Sequence, residues 1–214
     1  METSSKKTTL DASLKTPLYH LELLVVLILM LVVQSFLDSD NMLKRTMFNF
    51  LLLAVVLAAI RSMSASRSRL VMAIVVGMVS YALSWFAEFS ESTALIGSML
   101  IGYIFVFVIL LIALSEDVFG AGAVNVNRII GASCIYFVLG LVWALIYSFL
   151  ETLQPGSFSF ADPRVGDTLV QDKVSDFTYF SNVTLTTLGY GDIAPLSRPA
   201  KMFASLEAIV GQLY

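Results

Sequence analysis

The sequence predicts an all-α integral membrane fold with six transmembrane spans, the last incomplete, and a short re-entrant helix between the fifth and the sixth. Three observations predict it. The 214 residues are 57% hydrophobic and 14% charged, with a mean hydropathy of +0.84, too apolar for a soluble domain of this size. The apolar residues gather into successive runs near the ~20 residues that cross a bilayer. Between the last two runs lies a polar, glycine-bearing stretch, Thr184 to Asp192, preceded by a segment too short to span.

Residues 1–17 are polar, with no apolar core and small-residue cleavage site, so they are expected as a cytoplasmic N-terminal segment rather than a signal peptide. Leu18–Leu37 is the first span, with His20 and Glu22 near its start, where ionisable side chains reach the interface. Met47–Ile60 is the second, short unless Lys44 and Arg45 snorkel. Leu70–Phe86 is the third and ends in Trp85 and Phe86, suited to an aromatic belt. Ala94–Leu114 is the fourth. It has no Arg or Lys, and a helix without charges gains nothing from a field that is worth about 2.3 kcal/mol per charge per 100 mV. Residues 18–114 therefore read as a four-span bundle that lacks gating charges.

Ser115–Arg128, with Glu116, Asp117, Gly120 and Gly122, is expected as a linker, either loop or short interfacial helix. Ile129–Leu150 is the fifth span and holds Cys134, the sole cysteine, which leaves no disulfide within the chain and reads as packing. Residues 151–173 form the long non-apolar segment, with turns at Pro155, Gly156, Pro163 and Gly166. From Glu151 to Asp192 the acids Glu151, Asp162, Asp167, Asp172, Asp176 and Asp192 face only Arg164 and Lys173, so the segment is either an acidic collar or an ordinary solvated loop. Val174–Thr186 is a short helix suited to dipping into the membrane and returning. Lys201–Tyr214 begins the sixth span but supplies about 21 Å of helix at 1.5 Å per residue. Either the given sequence is a piece of a longer chain, the favoured reading, or the natural chain stops early; any regulatory domain would follow Tyr214.

The stretch Thr184-Leu185-Thr186-Thr187-Leu188-Gly189-Tyr190-Gly191-Asp192 carries the chemistry. A dehydrated potassium ion needs oxygen ligands in place of its water shell, and backbone carbonyls lining a pore supply them. Turning successive carbonyls to one axis takes the backbone through positive φ, which costs a residue with a Cβ about 1–2 kcal/mol and glycine almost nothing. Gly189 and Gly191 stand at alternate positions, as that geometry demands.

This run resembles the signature of the tetrameric potassium channel family, T-x-x-T-x-G-Y-G-D, in its bacterial six-transmembrane, one-pore-loop type without a charged voltage-sensor helix. The resemblance implies an outer helix over 129–150, a turret over 151–173, a pore helix over 174–186, a selectivity filter over 187–191 and an inner helix over 201–214. It implies stacked K+ sites built by the carbonyls of Thr187, Leu188, Gly189 and Tyr190 with the Thr187 hydroxyl, closed by Gly191, and a brace at the outer mouth from Asp192. Tyr179 and Phe180 match the aromatic pair that sets filter width, and Val183 and Thr184 are counted with them as filter support. Gly211 falls where inner helices of the family often carry a hinge. Leu188 stands where valine is commonest, which touches the packing behind the filter. Asn182-Val183-Thr184 formally fits a glycosylation acceptor, but its place on the pore helix argues against that use.

Loop charge offers an independent orientation. Lys6, Lys7 and Lys15, and then Arg61, Arg67 and Arg69, put the N-terminus and the second loop inside, while Glu88 and Glu91 put the third loop outside; Lys44 and Arg45, beside Asp38 and Asp40, are the exception. Five crossings then bring Glu151 outside, with the filter entering and leaving from that side. One filter run without an internal repeat implies four copies around an axis, a homotetramer in membrane lipid. The expectation is a multi-pass K+ channel of the cell membrane, passive and not steeply voltage-gated. It has no enzymatic activity, no cofactor beyond the permeant K+, and no nucleic-acid partner. A weakly selective cation channel, or a non-conducting structural or regulatory subunit, is the alternative.

Overall fold

Polar side chains at the helix ends, rather than apolar length alone, decide where the helices stop. The computed structural model describes residues 19–36, 50, 54–55, 67–89, 92–121, 124–161 and 170–214. Its elements are α1 (Tyr19–Phe36), α2 (Arg67–Phe89), α3 (Thr93–Phe119), α4 (Val126–Leu153), β1 (Phe158–Phe160), α5 (Val170–Leu185), β2 (Ile193–Pro195) and α6 (Arg198–Leu213). α3 and α4, with 27 and 28 residues, are long and apolar enough to cross a membrane, whereas α1 and α2 carry shorter apolar stretches, His20–Val33 and Val71–Phe86. The expected second span, Met47–Ile60, lies outside the described residues apart from 50, 54 and 55.

The expected linker over 115–128 is largely helical, which corrects the sequence reading. α3 continues through Glu116 and Asp117 because each finds a partner. Glu116 pairs with Arg69 at 2.7 Å, and Asp117 meets the buried His20 ring at 2.8 Å. α4 then starts at Val126, where the Asn125 side chain accepts the Arg128 N–H at 2.9 Å as an N-cap. These contacts bring the starts of α1, α2 and α4 to the end of α3, so α2 and α3 run antiparallel while α1 and α4 run side by side. Gly131 permits the closeness, since a Cβ there would lie 2.6 Å from Val118 Cγ2 and 2.9 Å from His20 Cδ2. Cys134 is buried and its Sγ lies 3.4 Å from the His20 carbonyl oxygen, a packing role as expected.

Two apolar cores result. The larger joins α1, α3 and α4 through residues such as Leu23, Leu27, Leu100, Phe107, Leu114 and Val138. The smaller surrounds Tyr147 with Phe158, Phe177, Phe180, Ile193 and Ala200. Its rings meet with centroids 4.7 Å apart for Phe158 and Phe177 and 5.3 Å apart for Tyr147 and Phe180, edge to face. Such pairs add about 0.5–1.5 kcal/mol each beyond the area they bury. Leu21, Val25, Val71, Met78, Phe86 and Ile101 stay exposed, as a surface bathed in lipid tails allows.

β1 and β2 pair antiparallel, Phe158 with Pro195 and Phe160 with Ile193, an addition to the all-α expectation. The ladder clips the chain entering the segment 161–192 to the chain leaving it, helped by Ala161 N–H to Asp192 O at 2.8 Å and Leu196 N–H to Ser157 O at 2.7 Å. α6 starts at Arg198, earlier than expected, because Ser197 caps it by accepting the Ala200 N–H and Pro199 fits the first turn.

Candidate functional site

α5 leans along α4 and ends against α6. It begins at Val170, earlier than the expected Val174. Three threonine hydroxyls on it and just past its end bond back to the main chain: Thr178 donates to Val174 O at 2.6 Å, Thr184 to Phe180 O at 2.8 Å and Thr186 to Asn182 O at 2.7 Å.

The helix unwinds directly into the glycine run. Thr187 N–H reaches Thr184 O at 3.0 Å, while Leu188 and Gly189 N–H both reach Val183 O, at 3.0 and 3.3 Å. Val183 thus supports the run through its carbonyl as well as its buried side chain. From 187 to 191 φ alternates in sign, positive at Thr187 (59°), Gly189 (57°) and Gly191 (78°). Alternating handedness is what aims successive carbonyls to one side of a strand. Two of the three positions hold glycine, and the third, β-branched Thr187, carries a strain of about 1–3 kcal/mol. Residues 186–192 are all exposed in the single chain, Leu188 and Tyr190 at 56% and 66%.

The flanks are braced by side chains. Tyr179 donates its hydroxyl proton to Asp192 Oδ2 at 2.7 Å, and Asp192 Oδ1 accepts the Ile193 N–H at 3.1 Å. The bond to Asp192 pushes the Tyr179 phenol up to about 12. Tyr179 therefore does more than pack: it ties the start of the return strand to α5. Phe180 is buried among Tyr147 and Phe158.

One expectation changes. Glu151 is buried rather than part of a solvated acidic collar; its two oxygens accept the N–H groups of Gly156 at 2.9 Å and Phe158 at 3.2 Å, and hold the turn in which Gly156 takes φ +83°. Gly211 lies at a close approach of α6 to α5: a Cβ would sit 2.5 Å from Leu185 O and 2.9 Å from Leu185 Cα. Of the acids expected in the collar, Asp162 and Asp167 lie outside the described residues, as do Pro163 and Gly166.

The sequence reading passed over Glu207. It is fully buried on α6 and accepts hydrogen bonds from the Tyr147 hydroxyl of α4 and the Ser181 hydroxyl of α5. A lone acid inside the apolar α6 run was the available signal, since ionisable residues in such helices have a purpose by default.

α4, α5, the glycine run and α6 thus form one packed unit, a long helix, a short helix, a loop of alternating φ and a returning helix. Residues 135–214, which contain nearly all of it, match the family described as ion channel. Over that segment the chain is similar to the ion channel family. Searches of curated proteins and of solved structures give no match. The matched residues take in most of α4, all of α5 and α6, and the run 186–192 between them.

Proposed function

We propose that the chain is one subunit of a homotetrameric channel that passes K+ selectively and passively across the cell membrane. The observation that carries this is the sign alternation of φ at 187, 189 and 191 in a run exposed on the single chain. Four such runs around an axis stack carbonyls from Thr187, Leu188, Gly189 and Tyr190 into rings that replace the hydration shell of a bare cation. Gly191 and Asp192 lead the chain away, and the Tyr179 bond, Phe180, Val183 and Thr184 fix its width from behind. α5 ends beside these rings, and the roughly half negative charge at its C-terminus favours a cation on the axis.

Potassium uptake by liposomes holding the protein tests the proposal. Wild type should load potassium well above empty liposomes, and Gly189→Ala should not. Wild-type uptake equal to that of empty liposomes contradicts it. A weakly selective cation pore is the second reading, favoured by one feature: the Leu188 side chain is 56% exposed, so the packing behind its carbonyl depends on the neighbouring subunit. Reversal potentials in mixed sodium and potassium separate the two.

A further inference from the structure

The hydroxyls of Thr178 and Thr184 within α5, and of Thr186 just past its end, each donate to the carbonyl four residues earlier, but Ser181 donates to Glu207 on α6. Tyr147 of α4 donates to the other oxygen of the same carboxylate, so one fully buried acid joins three helices. One turn along, the contact repeats: Gly211 stands four residues after Glu207 on α6 and presses on Leu185, four residues after Ser181 on α5. The two helices therefore meet along matching rows, 207 and 211 against 181 and 185, the spacing at which residues share a helix face. Leu185 is the last residue of α5, and the glycine run begins directly beyond it.

A well-packed leucine would fill the site of Glu207 without the desolvation of a carboxylate, so its presence is not explained by stability. A polar tie of this kind fixes register instead: an apolar contact can slide by a residue, whereas a carboxylate with two hydroxyl donors has one position. We infer that Glu207 is a positioning residue of the pore. It locks α6 to α5 so that the loop of residues 187–191 keeps its conducting shape, and displacement of α6 at this face lets that loop relax. The inference rests on the channel reading above and goes beyond it by naming what holds the conducting state.

Potassium currents of the protein in planar bilayers test it, with Ser181→Ala, Tyr147→Phe and Glu207→Gln beside wild type. Loss of one buried hydrogen bond should shift the balance between conducting and relaxed loops by roughly tenfold, read as a faster decay of current and a lower potassium-to-sodium permeability ratio. Ser181→Ala should show this fully, since it acts on the helix that carries the loop. Glu207→Gln should show it only in part, because its amide oxygen still accepts. The double variant Ser181→Ala with Glu207→Gln should decay no faster than Ser181→Ala alone. Currents whose decay and permeability ratio match wild type in Ser181→Ala and Tyr147→Phe overturn the inference and leave the channel reading standing. A wild type that passes no current overturns the channel reading and this one together.

Discussion

Positive φ is affordable at a glycine and strained elsewhere, and three residues of the glycine run test that rule in different ways. At Gly189 and Gly191 a Cβ meets no heavy atom within 4 Å in the single chain, so any penalty of substitution is conformational rather than steric. Gly189→Ala is expected to cost about 1–2 kcal/mol per subunit in the conducting shape and to suppress potassium flux, checked by liposome uptake. Thr187 pays the strain in the native protein. Its position was legible in the sequence from the motif, but its left-handed backbone was not, because a β-branched residue is the last that local preference would place there. Tyr179 gives a pH prediction. Its proton is held up to about 12 by Asp192, against about 10 for a free phenol. The raised value means that the bond contributes fully below about pH 10 and is lost as pH rises through about 12. Potassium current measured between about pH 7 and 9 should be flat in wild type, and Tyr179→Phe should lower the current throughout without adding a pH dependence.

At the scale of elements, contacts between residues far apart in sequence decide what short-range patterns leave open. Helices α1, α2, α3 and α4 were legible as apolar runs, yet the end of α3 was not, since Glu116 and Asp117 look like a stop signal until Arg69 and His20 are brought beside them. The three-residue strands β1 and β2 were illegible for a related reason. A strand of three carries too little alternation to read, and its register depends on a partner 35 residues away. Glu151 follows the same logic, an acid in a polar segment that proves to be the buried acceptor for a turn. Removing it in Glu151→Ala leaves two N–H groups without partners and should lower stability by about 1–3 kcal/mol, read from thermal unfolding of the detergent-solubilised protein. Gly211→Ala should press α6 away from Leu185 at a cost of about 1–3 kcal/mol, since the atoms it meets are main chain and cannot rotate aside. The same unfolding measurement checks it, and an unchanged midpoint would show that α6 has room to move.

For the whole molecule, the helices preceding the unit of α4, α5, the glycine run and α6 hold it from one end. His20, Asp117, Asn127 and Gly131 lock α1, α3 and α4 together where α4 begins, but α3 offers a field no charge along its length except Glu116 and Asp117 near its end. Conductance measured across a voltage series should therefore change by less than the steep sigmoid that several moving charges produce, each worth about 2.3 kcal/mol per 100 mV. The positive φ at Gly189 and Gly191 was the most legible feature of the sequence because glycine spacing states a backbone requirement directly. The polar tie at Glu207 was the least legible, because its donors lie 26 and 60 residues away on two other helices.

An image of the assembled protein in potassium-containing solution tests the channel most directly. Four copies should surround one axis with the main-chain oxygens of residues 187–190 turned toward it and ion density between their rings. Oxygens turned away from the axis, or a protomer with no shared conduit, would contradict a potassium pore.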